Sequence, residues 1–357
     1  MTTSAEQTGS GDSAVLEPTP AAPAAPVDEP ARELAYEAAT EESPEPVAID
    51  PEERRALVIG EALIDVVRSS DGAVTEHPGG SPANVALGLG RLGRGVDLLT
   101  WFGRDGFGEL LTRHLTASGV EIVPGSDQAL HTSVAAATLD ERGAATYDFD
   151  LTWEVPERWT SPALPPLVVH TGSIAAVLEP GGPDVARILA AHRESATITY
   201  DPNARPSLMP PADETLPIVE SLVRLADVVK VSDEDLEWLR PDTDADVTAQ
   251  EWATMGPGLV VVTRGGTGAT AFSSDGTRVD VAAPRVEVAD TVGAGDSFMG
   301  GLIDGLWSAR LLGADRRTAL HSCDDATLRT VLERCVRIAA VTVSRPGANP
   351  PTAAELA

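Results

Sequence analysis

The sequence predicts an α/β protein: a three-layer α/β/α sandwich with a mostly parallel central sheet, carrying a small separate β-sheet as a lid. Three observations predict it. From Leu167 onward, short Val-rich runs alternate with segments whose apolar residues recur at helical spacing, the pattern of right-handed strand–helix–strand crossovers. Two hairpin-like stretches, near residues 66–77 and 131–151, have polar-alternating faces that do not suit the interior of a parallel sheet. Polar clusters, finally, fall at the carboxyl ends of the strands, where ligands sit in sheets of this kind.

Composition sets outer limits. At 357 residues the chain can build one large domain, and 42% hydrophobic content fits a globular protein. No apolar run reaches the roughly 20 residues of a membrane span. The N-terminus lacks the basic start and apolar core of a secretory signal, so a cytoplasmic protein with no membrane partner is expected. A net charge of −29 excludes the basic footprint that nucleic-acid binding needs. Cys323 and Cys335 lie in one late stretch without metal-ligand spacing and read as reduced. Lys230 is the sole lysine and stands between two valines, which excludes a Gly-Lys-Ser/Thr P-loop.

Residues 1–53, rich in Ala, Pro, Glu, Ser and Thr, predict a disordered acidic tail that cannot bury enough apolar surface to order itself. The folded domain is expected over 54–357. Residues 55–65 form a buried-strand pattern ending in Asp65, and a hairpin follows around Ser69-Ser70-Asp71-Gly72. Next, Pro78-Gly79-Gly80-Ser81-Pro82-Ala83-Asn84-Val85-Ala86 leads into a helix through Gly93. The paired glycines suit a turn and cap, or a hinge close to a ligand, with Asn84 offering both a donor and an acceptor. Residues 96–102 read as strand and 107–118 as helix, and the second hairpin turns at Asp140-Glu141-Arg142-Gly143. Strands then follow over 167–171, 197–201, 228–231 and 259–263, with helices over 182–193, 216–224 and 233–239. The polar clusters at the strand ends are Asp65, Gly172-Ser173, Asp201-Pro202-Asn203, Ser232-Asp233 and Thr263-Arg264-Gly265, with Asp290 onward as the last. A closing helix over 326–343 ends in the loop Arg345 to Asn349.

The stretch Asp290-Thr291-Val292-Gly293-Ala294-Gly295-Asp296-Ser297-Phe298 follows a strand-like run over 279–288 and opens a helix over 298–311. A helix entered through glycines points unpaired amides and the positive end of its dipole at one spot, which suits a phosphoryl anion. A carboxylate repels phosphate, so Asp296 makes sense there if it takes a proton from an attacking hydroxyl. The same residue also reads as an Asp capping its own helix. Phosphoryl transfer to a polyol accounts for both the anion hole and the carboxylate. A glycosidase pair such as Asp65 and Asp296 leaves the hole unexplained. No Gly-x-Ser-x-Gly elbow supports a serine triad, and the six histidines show no zinc spacing.

The Gly79–Ala86 and Asp290–Phe298 motifs together resemble the two signatures of the ribokinase-type (PfkB) sugar kinases, and the resemblance runs from about residue 56 to 352. Gly60-Glu61-Ala62-Leu63-Ile64-Asp65 and Tyr147-Asp148-Phe149-Asp150-Leu151 most resemble the fructokinase branch. The resemblance implies a ribokinase-like fold and an ATP-dependent fructokinase making fructose 6-phosphate. It implies Asp296 as the base, with the amides of Gly293, Ala294 and Gly295 as the anion hole. Asp65 and Asn84 would hold sugar hydroxyls, with Gly79 and Gly80 at the hinge under the lid. Thr263, Gly265 and Gly268 resemble the family's Thr-x-Gly-x-x-Gly along the nucleotide phosphates, joined there by Asn203 and Arg205. Asp290 and carbonyls of the Arg345–Asn349 loop resemble its monovalent-cation site, which implies K⁺ beside Mg²⁺. Ser232-Asp233-Glu234-Asp235 departs from the family's Asn-x-x-Glu, so magnesium would be held more loosely at Ser232 and Asp235, or these two simply cap the helix. Alternative readings are a 2-keto-3-deoxygluconate kinase or ribokinase on the same scaffold, and a non-catalytic sugar-binding regulator. The lid hairpins would allow a homodimer.

Overall fold

The computed structural model describes residues 54–139, 145–162 and 164–357. The expected tail over 1–53 and the expected hairpin turn at 140–143 lie outside them. Among the described residues, thirteen strands form two sheets.

The central sheet begins with β1 (Ala56–Ile59), flanked by β4 (Val96–Leu99) on one side and β8 (Val168–Gly172) on the other, both parallel to it. β5 (Val120–Ile122) closes one edge. On the far side follow β9 (Thr197–Asp201), β10 (Val228–Ser232) and β11 (Leu259–Thr263), all parallel, and then β12 (Gly268–Ser273) and β13 (Arg278–Ala282), which run antiparallel. The full order is β13-β12-β11-β10-β9-β8-β1-β4-β5. Successive residues of β1 show why its sequence is an unbroken apolar run: Ala56 and Val58 pack into one core and Leu57 and Ile59 into the other. The first core is built with α1 (Ser81–Arg91), α2 (Gly106–Thr116), α7 (Ala294–Ser308) and α9 (Asp325–Val343). The second involves α3 (Gly181–His192), α4 (Ala212–Leu225), α5 (Asp233–Leu239) and α6 (Ala245–Ala253). Among the described residues no helix is long and apolar enough to cross a membrane.

The small sheet holds β2 (Leu63–Arg68), β3 (Val74–Gly79), β6 (Val134–Leu139) and β7 (Ala145–Asp150) in the order β3-β2-β6-β7. Both hairpins expected from the sequence supply it. One expectation fails here. Residues 55–65 are not one strand: β1 ends at Ile59, and the chain leaves the central sheet through Gly60, whose φ of 151° lies in a region glycine favours. It re-forms in the other sheet as β2, so Asp65 lies within the small sheet and not at a carboxyl end of the central one. Both segments are apolar, and only Gly60-Glu61-Ala62 separates them.

Two further boundaries shift. The strand expected over 279–288 stops at Ala282, and its continuation leaves Val286 and Val288 exposed. The helix expected from Phe298 starts four residues earlier, because Gly293 adopts the left-handed conformation (φ 73°) that starts α7 at Ala294. The elements α6, β5 and β12 were not anticipated, nor were the short helices α8 (Arg317–His321) and α10 (Ala353–Leu356).

Candidate active site

A cavity of about 800 Å³ opens between the small sheet and the carboxyl ends of the central strands. Asp65 of β2 lines one wall, and the turn from Asp290 to Asp296 lines another. Gly79, Gly80, Asn84, Asn203 and Arg205 also line it. Residues expected to serve sugar and phosphoryl group thus converge.

Asp296, third residue of α7, is 6% exposed and held from two other segments. Its Oδ1 accepts from the Ser81 hydroxyl at 2.7 Å and from the Asn203 amide at 3.2 Å. Its Oδ2 accepts from the Asn84 amide at 2.8 Å. Asn203 also donates to Ser81 Oγ at 2.7 Å, which closes the network. Asn84, expected to face sugar hydroxyls, therefore spends a donor on Asp296, and Asn203, expected at the nucleotide phosphates, does the same. Of the three expected hole amides, that of Ala294 donates to Thr291 O at 3.3 Å. Those of Gly293 and Gly295 meet no acceptor among the described residues. The glycines before α1 serve close packing. A β-carbon on Gly79 would stand 2.2 Å from Asp65 Oδ2, and one on Gly80 2.4 Å from Glu61 O.

Two carboxyls at this wall bind protons more tightly than usual. Burial pushes Asp65 up to about 6, opposed by the charges of His77 and Arg205, with Asp296 adding repulsion. Burial pushes Glu61 up to about 7, opposed by its own amide, the Ser173 hydroxyl, Arg205 and the Ala175 amide. Glu61 accepts from the Ser81 and Ala175 amides at 3.3 and 3.2 Å, tying the start of α1 to the turn after β8. The folded state holds this proton to a higher pH than the unfolded chain, whose value is near 4.5. Its stability contribution is therefore full below pH 4.5 and is lost as pH rises through 7, a change on the order of 3 kcal/mol. Melting temperatures recorded from pH 5 to 8 should fall more steeply in the wild type than in Glu61→Gln. Parallel slopes would refute the assignment.

Of the remaining expected residues, Thr263, Gly265, Gly268, Ser232 and Asp235 lie outside the lining of this cavity, whereas Arg205 and Asp290 belong to it. Thr263 ends β11 and donates to Val231 O at 3.4 Å; Gly265 opens a 3-10 turn and Gly268 begins β12. Ser232 and Asp235 form a capping box at α5, and Asp235 also accepts from the Ala204 amide at 2.9 Å. Asp235 Oδ2 thus serves the cap, and Oδ1 ties α5 to the backbone after β9. Arg205 donates to Asn203 O and Oδ1 and to Ala204 O, and its charge is felt at Glu61 and Asp65. Asp290 accepts from the Val292 and Gly347 amides at 3.0 and 2.8 Å, tying the 345–349 loop to the start of the turn.

Sequence reasoning passed over Glu61 and Ser81 as site residues, although both stand inside the quoted motifs. The signal for Ser81 was a polar side chain between paired glycines and a helix start, and for Glu61 a lone carboxyl after Gly60 inside an apolar run.

Comparison with known proteins identifies the family and the fold. The model of the pfkB family carbohydrate kinases matches residues 53–355. A fructokinase of Rhizobium leguminosarum bv. trifolii is 34% identical over 282 residues, covering 76% of this chain and 85% of the relative. The crystal structure of a fructokinase from Xylella fastidiosa with bound ATP superposes with a TM-score of 0.72 at 25% identity, covering 82% of this chain and 93% of that one. A double mutant of the Vibrio cholerae O395 fructokinase, solved with fructose, ADP and potassium ion, gives 0.69 at 27% identity, covering 83% and 94%. The chain is thus a member of the pfkB family of carbohydrate kinases, a phosphotransferase with an alcohol group as acceptor on a ribokinase-like fold.

Proposed function

We propose that this kinase is a fructokinase that transfers the γ-phosphoryl group of ATP to the 6-hydroxyl of D-fructose. The observation that carries the reading is Asp296, buried beside the unpaired Gly293 and Gly295 amides and opening on the same cavity as Asp65. The names of the relatives support fructose and ATP as the pair.

In this mechanism the sugar is held by Asp65 on the small sheet, with its reacting hydroxyl at Asp296. Oδ1 already accepts two hydrogen bonds and Oδ2 one, so Oδ2 is the oxygen left to take the hydroxyl proton. The new O–P bond forms as the bond to the ADP oxygen breaks. The Gly293–Gly295 amides and the α7 dipole stabilise the charge on the transferring group. The small sheet acts as a lid that excludes water, so that ATP is not hydrolysed unproductively.

Mg²⁺ bound with the nucleotide would neutralise phosphate charge. Mg²⁺ is usually carried by substrate phosphates with one or two carboxylates. That fits here: among the described residues no three His, Cys, Asp or Glu side chains converge on a cage, and Asp235 is committed to backbone. For K⁺, Asp290 and the carbonyls of the 345–349 loop, drawn together by the Gly347 amide, form an oxygen-only donor set of suitable chemistry.

Coupled ADP release with ATP, Mg²⁺ and K⁺ tests the reading against fructose, ribose, 2-keto-3-deoxygluconate, adenosine and fructose 6-phosphate. The expected result is the highest kcat/KM with fructose. Preference for another acceptor would overturn the substrate, and absence of turnover with all five would overturn the mechanism.

A further inference from the structure

Lys230 is the single lysine among 26 lysine and arginine residues, and it occupies a position where an ammonium is hard to keep. It lies in β10 with 2% of its side chain exposed, paired to the equally buried Asp201 of β9 at 2.8 Å. A buried ion pair is a weak source of stability, because desolvating two charges costs about what their attraction returns. Well-packed apolar residues would fill the same space at no loss. The direction of the side chain supplies another reason. Lys230 Nζ reaches under the first turn of α7, where a β-carbon built on Gly295 would stand 3.0 Å away. The open side of this glycine therefore faces the ammonium. Among the described residues Asp201 Oδ1 has no hydrogen-bond partner, so none of them competes for that anchor.

We infer that Lys230 is a positioning residue for phosphoryl transfer: its ammonium, tethered by Asp201, puts a buried positive charge behind the Gly293–Gly295 turn and strengthens the anion site there. This rests on the function proposed above. It also gives Gly295 a second purpose, which is to admit a lysine from behind as well as a ligand in front. The helix end alone offers about half an elementary charge. The Lys230–Asp201 pair adds the dipole of an ion pair to this, with its ammonium end on the side of Gly295. The charged and titratable groups facing Lys230 are Asp201 on β9, Asp235 on α5, Asp296 on α7 and His170 on β8. Burial disfavours the ammonium, but the three carboxylates outweigh it and hold the lysine protonated.

The test uses the full chain with its best acceptor from the panel and compares Lys230→Met/Asp201→Asn, a neutral pair of similar shape, with the wild type. The expected result is a fall in kcat of at least about tenfold, with the acceptor KM little changed. By calorimetry, affinity for ATP should weaken while affinity for adenosine stays the same. Unchanged kcat and ATP affinity would overturn the inference. So would a uniform loss of ATP and adenosine affinity together with a lowered melting temperature, the mark of a structural role only. Asp201→Asn alone provides a second arm if the double variant does not fold. It leaves the ammonium buried with less compensation, so its pKa falls, and the ratio of its kcat to the wild-type value should decline as pH rises from 7 to 9. A flat ratio would overturn the inference. Wild-type chain without turnover on any acceptor would sink the fructokinase reading, and the calorimetric arm would still decide the role of Lys230.

Discussion

Asp296→Asn is expected to reduce kcat by roughly a hundredfold to ten-thousandfold, the range for removing one positioned general base. The substitution keeps the shape of the side chain, and Ser81 and Asn203 can still donate to the remaining oxygen. The carboxylate that would take the hydroxyl proton is gone. Thermal stability and ATP affinity should stay near wild type, because among the described residues the replaced oxygen accepts only from Asn84, whose amide can turn to present its own oxygen to the new NH2 group. Near-wild-type turnover would show that the proton leaves by another route. Ser81→Ala should give a smaller loss of the same sign, since it frees Oδ1 from one of its two donors without removing the base.

Gly293→Ala is the second large effect. Gly293 has φ 73°, where an added methyl group is strained by about 1 kcal/mol or more. Its β-carbon would stand 2.6 Å from that of Ala348 and 2.9 Å from the Ala348 Cα. One side must move: either the turn that carries the amides or the 345–349 loop that Gly347 ties to Asp290. Either shift misplaces the donors to the transferring group. A loss of about a hundredfold to a thousandfold in kcat is expected, as for removal of one oxyanion donor. Melting temperature should fall by only a few degrees, given a cost of this size. An alanine variant with unaltered kcat and ATP KM would show that the anion site is not at this turn.

How much of this was legible in the sequence depends on the range of the forces involved. Strands buried on both faces leave continuous apolar runs, so β8 to β11 were readable within a residue or so. The Ser232–Asp235 cap is a local hydrogen-bonding pattern and was readable as one. The end of β1 was not, because the chain changes sheet over Gly60-Glu61-Ala62 alone, between two apolar segments that read as one run. α6 was missed for the same kind of reason: its burial comes from packing on β11 and β12 and not from a strong apolar stripe of its own.

For the site, the sequence by itself determined which residue types were present and that two glycine-framed turns would carry them. Tertiary structure decided who touches whom. Ser81 and Asn84 stand 215 and 212 residues before Asp296, and no local pattern announces that their donors are committed to its two oxygens. The same holds for Lys230, an unremarkable lysine between valines until β9, β10 and α7 enclose it under Gly295. Backbone conformation is set by neighbours a few residues away, whereas the partners of a buried charge are set by packing across the whole chain, and only the folded molecule shows them.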